Sequence, residues 1–226
     1  LLAMQLLDGC LICQRKFDPR ETLKMIEKEK ITSVFLVPTL FHDLLAEPTF
    51  DEFDTSSAVR LGFAGAPMPD GLIFKIWEKM APDQLINHYG SSEIYTFTIE
   101  PDAAGKPGSA GKAGLNQRIR VVTLATDNPE NLAEPGEEGQ IIADCANEEA
   151  FTGYWRRPNA DAKSFHCGWY FTGDTGYKDD DGDLFVTGRV DDMMISGGEN
   201  ITPVEIESVI SLHPSVAEVA VAGIPD

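Results

Sequence analysis

Three short apolar runs, residues 31–37, 61–64 and 84–88, recur before residue 90, and the segments between them carry helical periodicity. Apolar runs of this length, without polar alternation, are what a strand buried on both faces requires. Helical crossovers between such strands favour parallel pairing, because parallel neighbours need a long connection. The first helix is bounded by its own chemistry. Asp18 supplies an N-cap, Pro19 a first-turn residue and Glu21 an acidic third position, while Leu23 and Ile26 share a face and the helix ends at Lys30. Pro38 stops the run 31–37, and residues 69–80 read as another helix. The sequence therefore predicts an α/β region with a mostly parallel sheet.

From about residue 95 the texture changes to dense Gly, Pro and Asp turns separating short strands at 118–123, 139–144, 169–172 and 184–187. This predicts a small, largely antiparallel β-subdomain. Within it, DDDGD at 179–183 invites a calcium reading, but its glycine falls fourth rather than sixth and no Glu closes a twelve-residue loop. An Asp-Gly hairpin turn fits the spacing better. Thr202, Pro203 and Glu205 then read as a capping box opening a helix over 203–212, with Ile206, Val209 and Ile210 as its apolar stripe. His213 and Pro214 end that helix, and 216–222 reads as a strand. The organisation expected is an α/β subdomain over 1–94, a β-rich subdomain over 95–188, a hinge at 189–192 and the start of a further domain over 193–226. The opening LLAMQLLDG resembles the interior of an amphipathic helix, so both ends read as cut, and the last helix and strand should expose an apolar face.

Composition narrows the partners. A formal net charge of −19 argues against a nucleic-acid surface and against anionic membranes. No stretch approaches the roughly 18–20 apolar residues of a membrane span, and the first residues lack the basic flank of a secretion signal, which reads as cytoplasmic. Cys10 and Cys13 form a lone C-x-x-C with no second pair, so reduced thiols in a buried strand are expected rather than zinc or redox chemistry.

Five segments carry the chemistry. GFAGAPMPD at 62–70 is a strand ending in small residues before a helix, a corner that leaves backbone open to a flat ring. NHYGSSE at 87–93 follows the next strand: Tyr89 offers an aromatic face, Gly90 close backbone approach, Ser91 and Ser92 hydroxyls, and Glu93 a hard oxygen for Mg²⁺. GWYFTGD at 168–174 ends in Asp174, whose carboxylate could accept two hydrogen bonds from a ribose. GRVDDMMISGGENITPVEIE at 188–207 and FLVPTLFHDLL at 35–45 complete the set. Taken singly, the first three also read as a tight turn, a polar loop and a capping aspartate.

In order and spacing, these segments resemble the core motifs of the adenylate-forming superfamily of acyl-CoA synthetases, from about residue 30 to the end. SGGEN favours acyl-CoA ligases over peptide-synthetase adenylation domains, and the motifs look nearest to aryl-CoA ligases of the 4-chlorobenzoate type. The resemblance implies an adenine between the Gly65-Ala66-Pro67 backbone and Tyr89, with Asn87 or His88 near its exocyclic amine. It implies Ser92 at the α-phosphate, Glu93 holding Mg²⁺, Gly90 allowing close approach, and Asp174 with Arg189 at the ribose. Asp191 matches the hinge, and Gly197 and Gly198 would line a pantetheine channel. The acyl pocket would draw on Leu40, Phe41, Ala64 and Gly65. Leu40 stands where ligases of the 4-chlorobenzoate type place a gating histidine, while His42, two places later, is expected to face elsewhere.

The implied activity is a two-step ligation using ATP, Mg²⁺ and CoA: a small carboxylic acid is adenylated, and CoA then displaces AMP. No side-chain nucleophile is required. The family's phosphate loop would precede residue 1 and its adenylation lysine would follow Asp226, so the 226 residues alone are expected to bind AMP weakly and turn over little. Two alternatives stay open: an adenylation unit loading a carrier protein, and a non-catalytic nucleotide-binding remnant. A homodimer, or association with missing segments of the same protein, would cover the apolar face.

Overall fold

The structure, a computed structural model, describes residue 6 and residues 8–196, 199–213, 215–216 and 219–223. Its main feature is a ten-stranded sheet. The first three strands, β1 (Ser33–Leu36), β2 (Arg60–Ala64) and β3 (Gln84–Tyr89), pair in parallel, Val34 beside Leu61 and Leu61 beside Leu85. Helices α1 (Pro19–Glu29), α2 (Pro38–Ala46) and α3 (Asp70–Met80) supply one covering layer. Leu23, Ile26, Phe41, Leu44, Ile73 and Ile76 from these helices pack with Leu61, Phe63 and Leu85 of the strands in one buried cluster.

Local chemistry sets the helix ends. The Glu21 amide donates to Asp18 Oδ1 at 2.9 Å, and Lys30 closes α1 in the left-handed region at φ 48°. Pro38 opens α2 immediately after β1, and Pro69 is the N-cap residue of α3.

After β3 the sheet turns antiparallel. It runs through β4 (Thr98–Glu100), β5 (Ser109–Ala113), β10 (Leu184–Arg189), β9 (Trp169–Lys178), β7 (Gly139–Asp144) and β6 (Ile119–Val122), with β8 (Phe165–His166) beside β9 after the short helix α4 (Pro158–Ser164). The expected α/β region and antiparallel β region are thus both present, but they share one sheet, joined where β5 pairs β10. Parallel pairing stops at β3, because only β1 to β3 have helical crossovers between them; β3 and β4 are joined by a short loop and pair antiparallel. A second core cluster, including Ile94, Phe97, Ile141, Tyr170 and Leu184, holds the β-rich part.

The hairpin reading of 179–183 holds: Gly182, at φ 82°, turns the chain between β9 and β10. Lys106 reaches into this turn, its Nζ 2.6 Å from Asp179 Oδ2 and 2.6 Å from Asp183 Oδ2. Those hydrogen bonds raise the Lys106 ammonium above its ordinary range, so it stays charged and offsets part of the acidic cluster.

Other expectations fail. Cys10 and Cys13 are exposed on irregular chain rather than in a buried strand; β1 is the edge of the sheet, and no strand lies beyond it among the described residues. The described residues of 216–222 form no strand, and the Val221 amide donates instead to Glu207 Oε1 at 2.8 Å. A two-stranded hairpin, β11 (Met194–Ser196) and β12 (Glu199–Ile201), precedes α5 (Pro203–Ser211). Thr202 makes no side-chain capping bond, so that half of the capping box is absent. Val209 and Leu212 are exposed, giving the apolar surface expected of this helix. The first turns of the chain lie largely outside the described residues. No helix among the described residues is long and apolar enough to cross a membrane.

Phe97 is wholly buried, with ring centroids 5.0 Å from Tyr89 and 6.5 Å from Tyr170. Phe97→Ala should destabilise by about 3–5 kcal/mol in urea unfolding. Trp155→Ala, at a residue 83% exposed, should stay within about 0.5 kcal/mol.

Candidate active site

A cavity of about 1120 Å³ opens at the carboxyl ends of β2 and β3, where ligands bind in sheets of this kind. From the β2 tip it is lined by Gly65, Ala66 and Pro67, and from the β3 tip by Asn87, His88, Tyr89 and Gly90. Glu93 follows on the next turn, and Asp174, Arg189 and Asp191 complete the opposite wall. Sites that were dispersed along the sequence therefore share one space.

Asp174 and Arg189 are cross-strand partners in β9 and β10. Arg189 Nη1 donates to Asp174 Oδ1 at 2.8 Å, and the Tyr89 hydroxyl donates to Oδ2 at 2.5 Å. Thr172 fixes the turn: its hydroxyl donates to the Ile141 carbonyl at 2.9 Å and accepts from the Asp174 amide at 3.0 Å. Desolvation, and then the neighbouring Asp174 carboxylate, push the Tyr89 phenol well above its ordinary value. The phenol is thus a neutral donor held against a carboxylate. This carboxylate, flanked by a cation and a phenol, can accept hydrogen bonds from a vicinal diol.

Glu93 is presented by a tight loop. The Ser91 hydroxyl oxygen accepts from the amides of Glu93 at 3.1 Å and Ile94 at 3.3 Å. Gly90 is forced by sterics, since a Cβ there would lie 2.0 Å from the Tyr95 carbonyl oxygen. Tyr154 donates to Glu93 Oε1 at 2.8 Å, and the Tyr170 hydroxyl stands 3.4 Å from that of Tyr154. Burial opposes ionisation of Glu93, but hydrogen bonds from Ser91, Tyr154 and Tyr170 outweigh it and hold its carboxyl below the usual range. An ionised carboxylate on the wall of a roomy cavity fits Mg²⁺, which takes one or two protein carboxylates and fills its shell with water and phosphate oxygens.

Several expected site residues stand elsewhere. Ser92 is exposed and off the cavity wall; of the two serines in this loop, Ser91 is the one on the wall. Phe41 faces the core under α2, wholly buried, and neither it nor Leu40 lines the cavity. Ala64 ends β2 between Phe63 and Gly65, which both line the cavity, but is itself off the wall. Asn87 shares the Tyr89 face of β3, whereas His88 packs edge-on against Phe35 on the other face. His42 is exposed beside Asp43. Gly197 and Gly198 lie outside the described residues. Sequence reasoning missed Tyr154, Tyr170 and Thr172. Thr172 and Tyr170 lie inside GWYFTGD, two and four residues before Asp174, but their hydroxyls carry no sequence signal until β9 is folded.

A strand-tip crevice with a clamped carboxylate on one wall and an ionised Glu on the other defines a nucleotide-binding α/β scaffold continued by an antiparallel sheet. A family model described as AMP-binding enzyme matches residues 1–155, and the chain belongs to that family, the adenylate-forming superfamily of acyl-CoA synthetases. Among curated relatives, 4-chlorobenzoate–CoA ligase of Arthrobacter sp is 35% identical over 219 residues, covering 97% of this chain and 41% of the relative. Among solved structures, o-succinylbenzoate coenzyme A synthetase from Bacillus subtilis, in complex with ATP and magnesium ion, superposes with TM-score 0.82 at 30% identity, over 100% of this chain and 46% of that one. The amide bond synthetase McbA from Marinactinospora thermotolerans gives TM-score 0.85 at 28% identity, over 96% and 44%. The chain thus spans less than half the length of each of these proteins.

The Tyr89 phenol resists ionisation in the folded protein. The folded protein keeps this proton where the unfolded chain has lost it, so the stabilisation is complete below about pH 10 and declines above it. Between about pH 9 and 11, the urea midpoint of the parent protein should fall more steeply than that of Tyr89→Phe; parallel slopes would contradict the assignment.

Proposed function

We propose that the protein carrying this chain is an AMP-forming acyl-CoA ligase acting on an aromatic or alicyclic carboxylic acid in the cytoplasm. The observation that carries this reading is the convergence of Tyr89 and Arg189 on Asp174 across from the Gly65-Ala66-Pro67 corner. The likeness to curated aryl-CoA ligases supports the substrate class.

In the first half, a substrate carboxylate oxygen attacks the α-phosphorus of ATP and the bond to pyrophosphate breaks. This displacement needs alignment and charge neutralisation rather than a protein nucleophile. The adenine lies between the Gly65-Ala66-Pro67 backbone and the Tyr89 ring, with the Asn87 carboxamide at its edge. Asp174 accepts from the ribose hydroxyls while Arg189 fixes its orientation. Ser91, at the head of the Glu93 loop, takes the place on the wall that the resemblance gave to Ser92. Glu93 would hold Mg²⁺, which when bound supplies positive charge against the phosphate oxygens. In the second half, a thiolate attacks the acyl carbon and AMP leaves; Asp191 is the proposed pivot between the two halves, and Gly197 and Gly198 the proposed thiol channel.

A second reading concerns only the acceptor, because the McbA structure that the chain resembles belongs to an amide bond synthetase. Product analysis with CoA, a phosphopantetheinyl carrier and an amine separates the outcomes. Pyrophosphate release by the full-length protein over a panel of carboxylic acids tests the reading itself, and no release with any acid would end it. Asp174→Asn should weaken AMP binding about 10- to 100-fold in calorimetry, the worth of hydrogen bonds to a charged group. Glu93→Gln should lower the rate of pyrophosphate release about 100-fold or more while AMP, which lacks the outer phosphates, binds within a fewfold of the parent value.

A further inference from the structure

Glu93 is gripped by one short segment, and that segment is held in turn by a residue outside the cavity. The Phe151 amide donates to the Glu93 carbonyl at 2.9 Å, and the Tyr154 hydroxyl donates to Glu93 Oε1 at 2.8 Å. Residues 151–154 therefore hold both the main chain and the carboxylate of Glu93. The Phe151 ring stands edge-on to the Tyr154 ring, with centroids 4.9 Å apart, so the phenol is walled on one side. Tyr154 itself lies outside any strand or helix, and the direction of its side chain depends on what holds its backbone.

Asp161, in the first turn of α4, holds it. Asp161 Oδ1 accepts from the Tyr154 amide at 2.7 Å, across seven residues. Gly153 belongs to the same fit: it turns at φ 134°, and a Cβ there would lie 3.1 Å from Asp161 Oδ2 and 3.2 Å from Oδ1. The carboxylate thus lies against the turn that leads into Tyr154. The Tyr154 carbonyl accepts from the Arg157 amide at 3.2 Å, and the Arg157 carbonyl from the Asp161 amide at 3.2 Å, so the loop closes on itself. Asp161 does not line the cavity, whereas Tyr154 and Glu93 do. By itself the Asp161 contact only staples a turn. Its continuation through Tyr154 to Glu93 gives it a second use, because a phenol hydroxyl sits at the far end of its side chain. A small rotation of the backbone at 154 moves that hydroxyl by more than the roughly 0.5 Å within which a working site must be held.

We propose that Asp161 is a positioning residue: by holding the Tyr154 amide it aims the Tyr154 hydroxyl at Glu93, and so orients the carboxylate that would hold Mg²⁺. Removing an outer partner of this kind costs about 10- to 100-fold in metal affinity or activity. This rests on the ligase reading and adds to it a residue that touches neither nucleotide nor metal.

The experiment uses the full-length protein and compares ATP dissociation constants in Mg²⁺ and in EDTA by calorimetry, with no carboxylic acid present. The ratio of the two reads the share of binding that the metal supplies, and AMP affinity reads the rest of the site. Tyr154→Phe and Asp161→Ala should each lower the ratio about tenfold or more while AMP binds within a fewfold of the parent value. Asp161→Asn, whose carboxamide oxygen still accepts from the Tyr154 amide, should recover most of the loss. In the double variant the loss should match that of Tyr154→Phe alone, because the aspartate acts through the phenol. An unchanged ratio in Tyr154→Phe overturns this inference even where Asp161→Ala does not fold. An unchanged ratio in a folded Asp161→Ala, losses that add in the double variant, or an equal fall in AMP affinity also overturns it and leaves the ligase reading standing. No pyrophosphate release with any acid overturns the ligase reading and this inference with it.

Discussion

The contact between Tyr89 and Asp174 joins residues 85 positions apart, one at the end of the parallel strands and one in the antiparallel part of the sheet. The cavity depends on it. The parallel strands bring their open tips, and the antiparallel strands bring a carboxylate with a cation beside it. β5 pairs with β10 along the sheet and so holds the two halves in register. Thr172 and Arg189 then leave Asp174 little freedom. A site held this way is preorganised: its dipoles are in place before a ligand arrives.

The sequence made the strand tips legible because each carries a local rule. An apolar run ending in small residues, or in Tyr-Gly, is by itself also an ordinary turn, and it was the order of these segments along the chain that marked them; the Asp18-Pro19 and Asp-Gly signals fixed a helix start and a hairpin turn. What stayed hidden is long-range. That the antiparallel strands after residue 95 continue the sheet of β1 to β3 could not be read, because nothing in such short strands announces their neighbours. Phe41 read as a pocket residue, although its position on α2 turns it into the core. The GCLIC run read as a buried strand because apolar character was taken for burial, but β1 has no neighbour on that side among the described residues. Tyr154, 61 positions from Glu93, could be found only once the chain was folded.

The acidic character of the chain is handled locally. Lys106 gathers Asp179, Asp181 and Asp183, so one dense run of negative charge is partly offset away from the cavity. Glu93 is the opposite case: phenols and a serine hydroxyl rather than a cation keep it ionised. Its charge is therefore left for a ligand. The contrast shows how a chain of net charge −19 can line a cavity suited to an anionic nucleotide, given a divalent cation at Glu93, with which no ammonium or guanidinium pairs among the described residues.

The most direct measurement compares AMP with 2′,3′-dideoxy-AMP by calorimetry, in the parent protein and in Asp174→Asn. If Asp174 accepts from the ribose hydroxyls, removing them should weaken binding about tenfold or more in the parent protein and far less in the variant. An equal loss in both proteins would show that the ribose does not meet Asp174, and the nucleotide would have to lie elsewhere.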